Sequence, residues 1–271
     1  MVSKVTTRPN GAAIFGCVVM AACLMCSAVF TATAAAADAP VATKTGVLGG
    51  NETWEAGSVY AVPTSVVVPD GVTLTVDAGA IVKTNTAATG IVVEPGGTLN
   101  VTGSAVSPAV FTSYADDSHG GDSNADGASA GSLNDYASAI EAAGGTLAIS
   151  HATFDYGTYA ITSSPDPEQC SAAPAAAITD STFHSGVEFE DCASSLSMQR
   201  NAFAMPSGYA SMPLVAKGVG DASGITLSGA DSNTFTGTGV HTMVSLDDFT
   251  LPVESAWDIS GSAGISVLNF S

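Results

Sequence analysis

Apolar and polar residues alternate in a short phrase that the chain repeats. The phrase is a small residue, Thr, Leu, any residue and then Val or Ile, and it occurs at 72–76, 97–101 and 145–149, with a degenerate copy at 224–227. Such alternation predicts strands with one buried face, because successive side chains of a strand point to opposite sides. Leu74 and Val76 would therefore face a core.

The spacing of the phrase predicts how these strands are arranged. Its first two copies lie 25 residues apart, and recurrence at about 20 to 50 residues is typical of solenoids, in which each repeat stacks on its neighbours. Turn sequences at 69–71 and 95–96 separate the short strands. Three strands in each turn of about 20 to 25 residues predict an all-β fold, the parallel β-helix, starting at Trp54.

A second pattern appears in the later part of the chain. Four triplets end in Phe, and pairs of apolar residues precede the first three of them by seven and five residues. We interpret these Phe residues as an aromatic stack inside the solenoid rather than as a ligand-binding row. Their unequal spacing indicates insertions, which a solenoid places in outward loops. The four residues are Phe154, Phe183, Phe203 and Phe235.

The N-terminal residues predict export from the cell. Lys4 and Arg8 precede an apolar stretch over 11–30 and a run of small residues, which predicts a secretory signal peptide over residues 1–37. The alternatives are an uncleaved membrane anchor and a lipoprotein processed at Cys23. No later segment is long and apolar enough to predict a membrane span.

Residues 38–53 are interpreted as a linker, and residues 54–271 as the β-helix domain. The sequence around Trp257 resembles that around Trp54. The last residues, 265–270, are therefore either the start of a second unit or a closing strand.

The net charge limits the partners of the exported chain. Without residues 1–37, the chain has four basic residues against 25 acidic ones, a formal charge of −21. Such a chain repels phosphate backbones, which excludes nucleic acid as a partner. It would attract divalent cations, although we interpret the charge mainly as a source of solubility outside the cell.

Cys170 and Cys192 are the two cysteines outside the predicted signal peptide. Two cysteines in an oxidising compartment favour a disulfide. Their separation of 22 residues is close to the repeat length, so they would lie in adjacent coils, at about the strand spacing of 4.8 Å that a disulfide accepts. We predict a structural disulfide between them.

An acidic segment is the strongest candidate for a functional site. Residues 122–127 match the first half of an EF-hand calcium loop, with Gly127 at the sharp turn. The second half is missing, since Leu133 stands where that loop has Glu. We predict a structural Ca²⁺ that pins this insertion; the alternative is a solvated acidic loop without fixed metal. The candidate ligands are Asp116, Asp117, Asp122, Asn124, Asp126 and Asp135.

Residues that could support catalysis are scattered along the chain. A lyase would need a base, for which Arg200 and Lys217 are candidates, and a glycoside hydrolase would need two carboxylates across a cleft. The four histidines occur singly, and neither a Gly-x-Ser-x-Gly nor a His-Glu-x-x-His motif is present. The loose carboxylate candidates are Asp155, Asp180, Glu188, Glu190, Asp191, Asp247 and Asp248.

Several of these segments together resemble a known family. Residues 54–83, the Gly-Gly-Thr-Leu-x-Val of the second phrase and the acidic run 111–127 are similar to bacterial secreted right-handed parallel β-helix repeat proteins. Residues 134–140 depart from the Gly-Asp-Trp-x-x-Ile that such proteins often have next. The resemblance implies the pectate-lyase-like fold and a location outside the cell. It implies no single activity, because this fold hosts lyases, hydrolases, adhesins and stalks.

We therefore expect a secreted or cell-surface domain without catalytic activity, used in adhesion, carbohydrate contact or structural display, with polysaccharide or surface matrix as its partner. The alternative is a carbohydrate-active enzyme, either a polysaccharide lyase or a glycoside hydrolase. A flat Thr face that binds ice or mineral is a weaker hypothesis, because Thr73, Thr98 and Thr146 share a register over few coils.

Overall fold

Short parallel strands stack into three sheets that run along the chain. The computed structural model describes residues 41–85, 88–163, 174–190, 195–209, 212–217, 219, 221–227, 229–237, 244–246 and 266–267, which lie in the unit Ala37–Ser271. None of these residues belongs to a helix long and apolar enough to cross a membrane. The predicted signal peptide, Cys170 and Cys192 lie outside the described residues.

Successive strands belong in turn to sheets A, B and C, so that three strands make one coil. Coil 1 contains β1 (Val41–Thr43), β2 (Gly46–Val47) and β3 (Glu52–Trp54), and coil 2 contains β4 (Val59–Val62), β5 (Val66–Val68) and β6 (Thr73–Asp77). Coil 3 contains β7 (Ile81–Thr84), β8 (Thr89–Val93) and β9 (Thr98–Thr102), and coil 4 contains β10 (Ala109–Ser113), β11 (Tyr136–Ala142) and β12 (Thr146–Ser150).

The later coils continue this cycle. Coil 5 contains β13 (Ala152–Phe154), β14 (Gly157–Ser163) and β15 (Ala175–Thr179), and coil 6 contains β16 (Thr182–Phe183), β17 (Gly186–Glu190) and β18 (Ser195–Gln199). Coil 7 contains β19 (Ala202–Met205), β20 (Leu214–Lys217) and β21 (Gly224–Ile225). β22 (Thr234–Gly237) extends sheet A, and β23 (Val244–Leu246) and β24 (Ser266–Val267) extend sheet B.

The repeated phrase forms the inner ladder of sheet C, as predicted. Thr73 pairs with Thr98, and Thr98 with Thr146, so the copies stack in register. The Leu of each copy is buried, and the alternating Thr positions are more exposed. Each buried Leu contributes roughly 1.5–3 kcal/mol through removal of apolar surface from water. The chain is thus a right-handed parallel β-helix, which confirms the predicted fold class.

The predicted aromatic stack is confirmed on the inner face of sheet A, and it is longer than predicted. Phe154, Phe183, Phe203 and Phe235 stack one on another with ring centroids 4.7–5.0 Å apart. Phe111 extends the stack by one coil, with its ring 4.8 Å from that of Phe154. The ring spacing matches the strand spacing, so a parallel sheet places the same side chain at the same height in each coil.

The solenoid begins earlier than the sequence indicates, inside the range 38–53 interpreted as a linker. Val41 pairs with Val59, and the Gly46 amide donates to the Ser65 carbonyl. Residues 41–53 therefore belong to coil 1. They escaped prediction because their strands are only two or three residues long, too short to show alternation.

One connection between sheets A and B is much longer than the others described near it. Residues 114–135, here called the acidic loop, join β10 to β11, whereas two residues join β13 to β14 and two join β16 to β17. The insertion therefore lies where coil 4 passes from sheet A to sheet B, and it is the main departure from a regular solenoid in the described part.

Candidate functional site

The acidic loop folds back over the outer face of sheet A. Gly120 lies so close to Val59 that a Cβ at this position would overlap the Val59 side chain, and its φ of +73° also favours glycine. Outward-facing residues of β4, β7 and β10 are buried as a result, although they point away from the core. These are Val59, Ala61, Lys83, Val110 and Thr112.

Asp116 anchors the start of the loop to sheet A. Its carboxylate accepts hydrogen bonds from Thr112 Oγ1 at 2.6 Å and from the Ser118 hydroxyl and amide, and His119 Nδ1 lies 2.7 Å away. Burial alone would raise the pKa of Asp116, but these hydrogen bonds outweigh burial and hold the pKa below its usual value. Asp116 is thus an ionised, buried carboxylate whose oxygens are already in use.

Asp135 anchors the end of the loop in a similar way. Its Oδ2 accepts hydrogen bonds from Ser113 Oγ at 2.7 Å and from the Ser132 amide at 2.9 Å. Asp116 and Asp135 therefore fasten the two ends of the loop to the end of β10. The structure does not bring them into one cluster with the other predicted ligands.

Three of the six predicted metal ligands do converge. Carboxylate oxygens of Asp117, Asp122 and Asp126 lie within 4.8 Å of one another. Ligands of one Ca²⁺, each about 2.3–2.6 Å from the ion, fit within such a span. Asn124 lies beside them, with its Nδ2 donating to Asp126 Oδ2 at 2.7 Å.

One oxygen in this cluster has no partner of its own. Asp117 Oδ2 accepts from the Ser129 amide at 2.7 Å, but Asp117 Oδ1 is buried and accepts no hydrogen bond. Buried carboxylate oxygens are normally paired. A cation bound by Asp117 through this oxygen would satisfy it, so the residues present fit a hard divalent ion such as Ca²⁺.

Lys83 lies beneath the same loop. Its side chain leaves the outer face of β7, is fully buried, and donates from Nζ to the Gly121 carbonyl at 2.6 Å. Burial lowers the pKa of Lys83, and the carboxylates of the loop oppose this effect only in part. Lys83 belongs to none of the motifs that predict a site from the sequence.

Beyond the loop, the turns that join sheet A to sheet B carry a histidine–carboxylate pair. His184 Nδ1 bonds to Asp155 Oδ1, and this bond raises the pKa of His184 above its usual value despite burial. The Asp155 amide donates a hydrogen bond to the Phe111 carbonyl, and the Asp155 carbonyl accepts one from the Tyr136 hydroxyl. The pair links coils 5 and 6.

The outer face of sheet B carries a polar row that crosses three coils. Glu141 pairs in register with Thr162, and Thr162 with Glu188. All three side chains are partly exposed, and burial raises the pKa of both Glu carboxyls. A hydrogen bond from Tyr159 to Glu188 opposes this effect. Tyr159, Glu141, Thr162 and Glu188 are here called the sheet B row.

The comparison with protein families identifies this fold. Residues 46–127 match the family described as pectate-lyase like beta helix domain. The match covers this segment of the chain. It begins in coil 1 and ends at Gly127 within the acidic loop, so it includes the cluster and Asp116 but not Asp135. No curated protein and no solved structure matches the chain.

The coils of the solenoid separate most of the carboxylates proposed for catalysis. Asp180 forms a surface ion pair with Arg200, at 2.7 Å, and Glu190 lies 3.4 Å from Lys217. Asp155 bonds to His184 rather than to a second carboxylate. Glu188 interacts electrostatically with the candidate Glu190, and it shares a register position two strands away with Glu141, which no sequence motif indicated. Asp191, Asp247 and Asp248 lie outside the described residues.

Proposed function

We propose that the chain acts outside the cell, secreted or at the surface, as a non-catalytic β-helix domain that contacts polysaccharide. The pectate-lyase-like fold supports a carbohydrate-related or surface role. The observation that carries the proposal is the sheet B row, which combines an aromatic ring with hydroxyl and carboxyl groups on one partly exposed face.

The chemistry of this row favours a neutral glycan. The Tyr159 ring offers an apolar face on which a pyranose can lie, while Thr162 and the two Glu carboxyls can hydrogen-bond to its hydroxyls. The in-register strands place Glu141, Thr162 and Glu188 about 4.8 Å apart along the solenoid. A polysaccharide lying along the solenoid would therefore meet one coil after another, and the acidic chain would repel polyanions.

Replacing Tyr159 tests this proposal. We expect Tyr159→Ala to weaken binding of neutral polysaccharide at least tenfold, because the substitution removes both the stacking ring and the hydrogen bond to Glu188. Tyr159→Phe keeps the ring and is expected to retain most of the affinity. Affinity electrophoresis in gels that contain soluble glucans, mannans or xylans measures both. Equal retardation of Tyr159→Ala and the parent chain would refute the role of this row.

A second candidate function, glycoside hydrolysis, is favoured by the spacing of Glu141 and Glu188. They lie two strands apart, so their Cα atoms are separated by roughly 10 Å. Inverting glycosidases hold their two carboxyl groups about 6.5–9.5 Å apart, and the acid has a raised pKa. Burial raises the pKa of both carboxyls here, as the acid of such a pair requires. Binding is preferred because the two carboxyls share one partly exposed strand face with Tyr159 and Thr162 rather than facing each other across a cleft.

For the acidic loop, we propose one structural Ca²⁺ held by Asp117, Asp122 and Asp126, with Asn124 beside them. The orphaned Asp117 oxygen supports this assignment. The ion would fasten the outer part of the loop and take no part in chemistry.

Calorimetry tests the calcium site. We expect one Ca²⁺ per chain, and we expect the binding heat to disappear in Asp122→Ala combined with Asp126→Ala, because two of three carboxylates are lost. Asp70→Ala and Glu94→Ala, which remove two carboxylates outside the loop, form the matched control and should leave binding intact. A parent chain that gives no heat with Ca²⁺ would remove the proposal.

A further inference from the structure

Lys83 combines complete burial with a charged environment, and it is the one basic side chain without solvent exposure in the described part of the chain. Its neighbours in register, Ala61 and Thr112, are outward-facing residues of sheet A. The residue before it, Val82, belongs to the core. The ammonium therefore lies between sheet A and the acidic loop, outside the solenoid core.

We infer that Lys83 is the resident cation of the acidic loop and holds the loop on sheet A without a metal ion. This inference goes beyond the proposed function, and it does not depend on calcium. It assigns to a side chain of this domain the charge-balancing role that a structural ion has in other acidic loops.

The charges around Lys83 support this role. Four carboxylates of the loop act on it electrostatically, those of Asp116, Asp117, Asp122 and Asp126. Lys83 acts on these carboxylates through space, whereas His119 Nδ1 lies 2.7 Å from Asp116 Oδ2. Without Lys83, these four negative charges would lose the cation between the loop and sheet A, and one of them, on Asp116, is buried. Leaving buried charge without its partner is strongly destabilising.

The backbone contact explains why the position of the loop depends on Lys83. Lys83 Nζ donates to the Gly121 carbonyl at 2.6 Å. The residue before Gly121, Gly120, lies against Val59, and the residue after it, Asp122, belongs to the carboxylate cluster. A charge-assisted hydrogen bond of this kind is stronger than a neutral one. Lys83 is thus a positioning residue for the middle of the loop.

The two cation positions serve different parts of the loop. Lys83 lies on the inner side, against sheet A, whereas Asp122 and Asp126 are exposed to solvent. A metal ion at the outer cluster would add to the lysine rather than replace it. In the native chain, the loop should therefore stay on sheet A when calcium is removed.

Hydrogen–deuterium exchange of the full chain in a calcium chelator tests the inference. Peptides that cover 115–131 report on the loop, because amides of Ser118, Gly127 and Ser129 bond to its carboxylates. We expect at least tenfold faster exchange there in Lys83→Met and Lys83→Gln than in the parent chain. Peptides from β12 should be unchanged, which shows that the solenoid remains folded.

Two comparisons make the test specific. Lys217→Met removes the same charge from an exposed position and should leave exchange of the loop unchanged. Lys83→Gln can still donate to Gly121 but carries no charge, so parent-like exchange in this variant would overturn the assignment as a cation. Parent-like exchange in Lys83→Met would overturn the inference altogether. If the variants are loosened and the parent chain gives no binding heat with Ca²⁺, the inference stands and the calcium proposal fails.

Discussion

Phe183→Ala is expected to destabilise the solenoid by about 3–5 kcal/mol, the usual cost of removing a buried aromatic ring. Phe183 lies in the middle of the stack, between Phe154 and Phe203, with ring centroids 5.0 and 4.9 Å away. Its removal leaves a cavity and also breaks two aromatic contacts. The free energy of unfolding from urea denaturation, followed by circular dichroism, measures the loss.

Thr182→Ala is the matched control for this substitution. Thr182 precedes Phe183 on β16 and faces outward with partial exposure, so its truncation should change the free energy of unfolding by less than about 1 kcal/mol. A loss of less than 1 kcal/mol in Phe183→Ala as well would mean that the stack does not hold the coils together.

Asn201→Ala is expected to cost about 3 kcal/mol through a different mechanism, the loss of hydrogen-bond partners inside the solenoid. The fully buried Asn201 amide donates to the Ile178 carbonyl at 2.9 Å and to Asn233 Oδ1 at 2.8 Å, and it accepts from the Ser181 amide at 3.0 Å. Alanine leaves these groups buried without those partners. Thermal and urea unfolding of the variant measure the effect.

The surface residue Asn100 provides the control, since it lies on the outer face of sheet C, and Asn100→Ala should be nearly neutral. Because Asn201 and Asn233 bond to each other, the double substitution of both by Ala should cost less than the sum of the two single substitutions. Additive costs would show that the two amides do not form one network.

Local alternation explains why most of the fold could be predicted. The side chains of Leu74, Leu99 and Leu147 repeat in a pattern that only a stacked strand satisfies, and the structure places all three in the core. Coil 1 could not be found in this way, because its strands depend on pairing with coil 2 rather than on a pattern of their own. Phe111 is missing from the predicted stack because its membership depends on the register between coils, which places it beside Phe154.

The candidate site was less predictable, because its groups converge only when the loop has folded. Asp116 and Asp117 are neighbours in sequence, yet one bonds to Thr112 and the other to Ser129, and no local pattern separates them. Lys83 follows two apolar strand residues and reads as an ordinary outward side chain. Its burial comes entirely from a loop more than thirty residues later.

The sheet B row illustrates the same limit. Glu141, Thr162 and Glu188 are separated by 21 and 26 residues along the chain, and only the parallel register brings them side by side. A motif search examines neighbours in sequence, whereas a solenoid assembles its surfaces across coils. Functional sites in this fold must therefore be sought among residues that occupy the same register position in successive coils.

One measurement tests the central claim, that the domain binds polysaccharide without cleaving it. The chain is incubated with neutral polysaccharides, and bound polysaccharide and new reducing ends are measured in the same samples, with Tyr159→Ala and Glu188→Gln in parallel. We predict saturable binding that Tyr159→Ala weakens at least tenfold, with no new reducing ends in any sample. Reducing ends that accumulate with the parent chain and disappear in Glu188→Gln would contradict the account and establish a hydrolase.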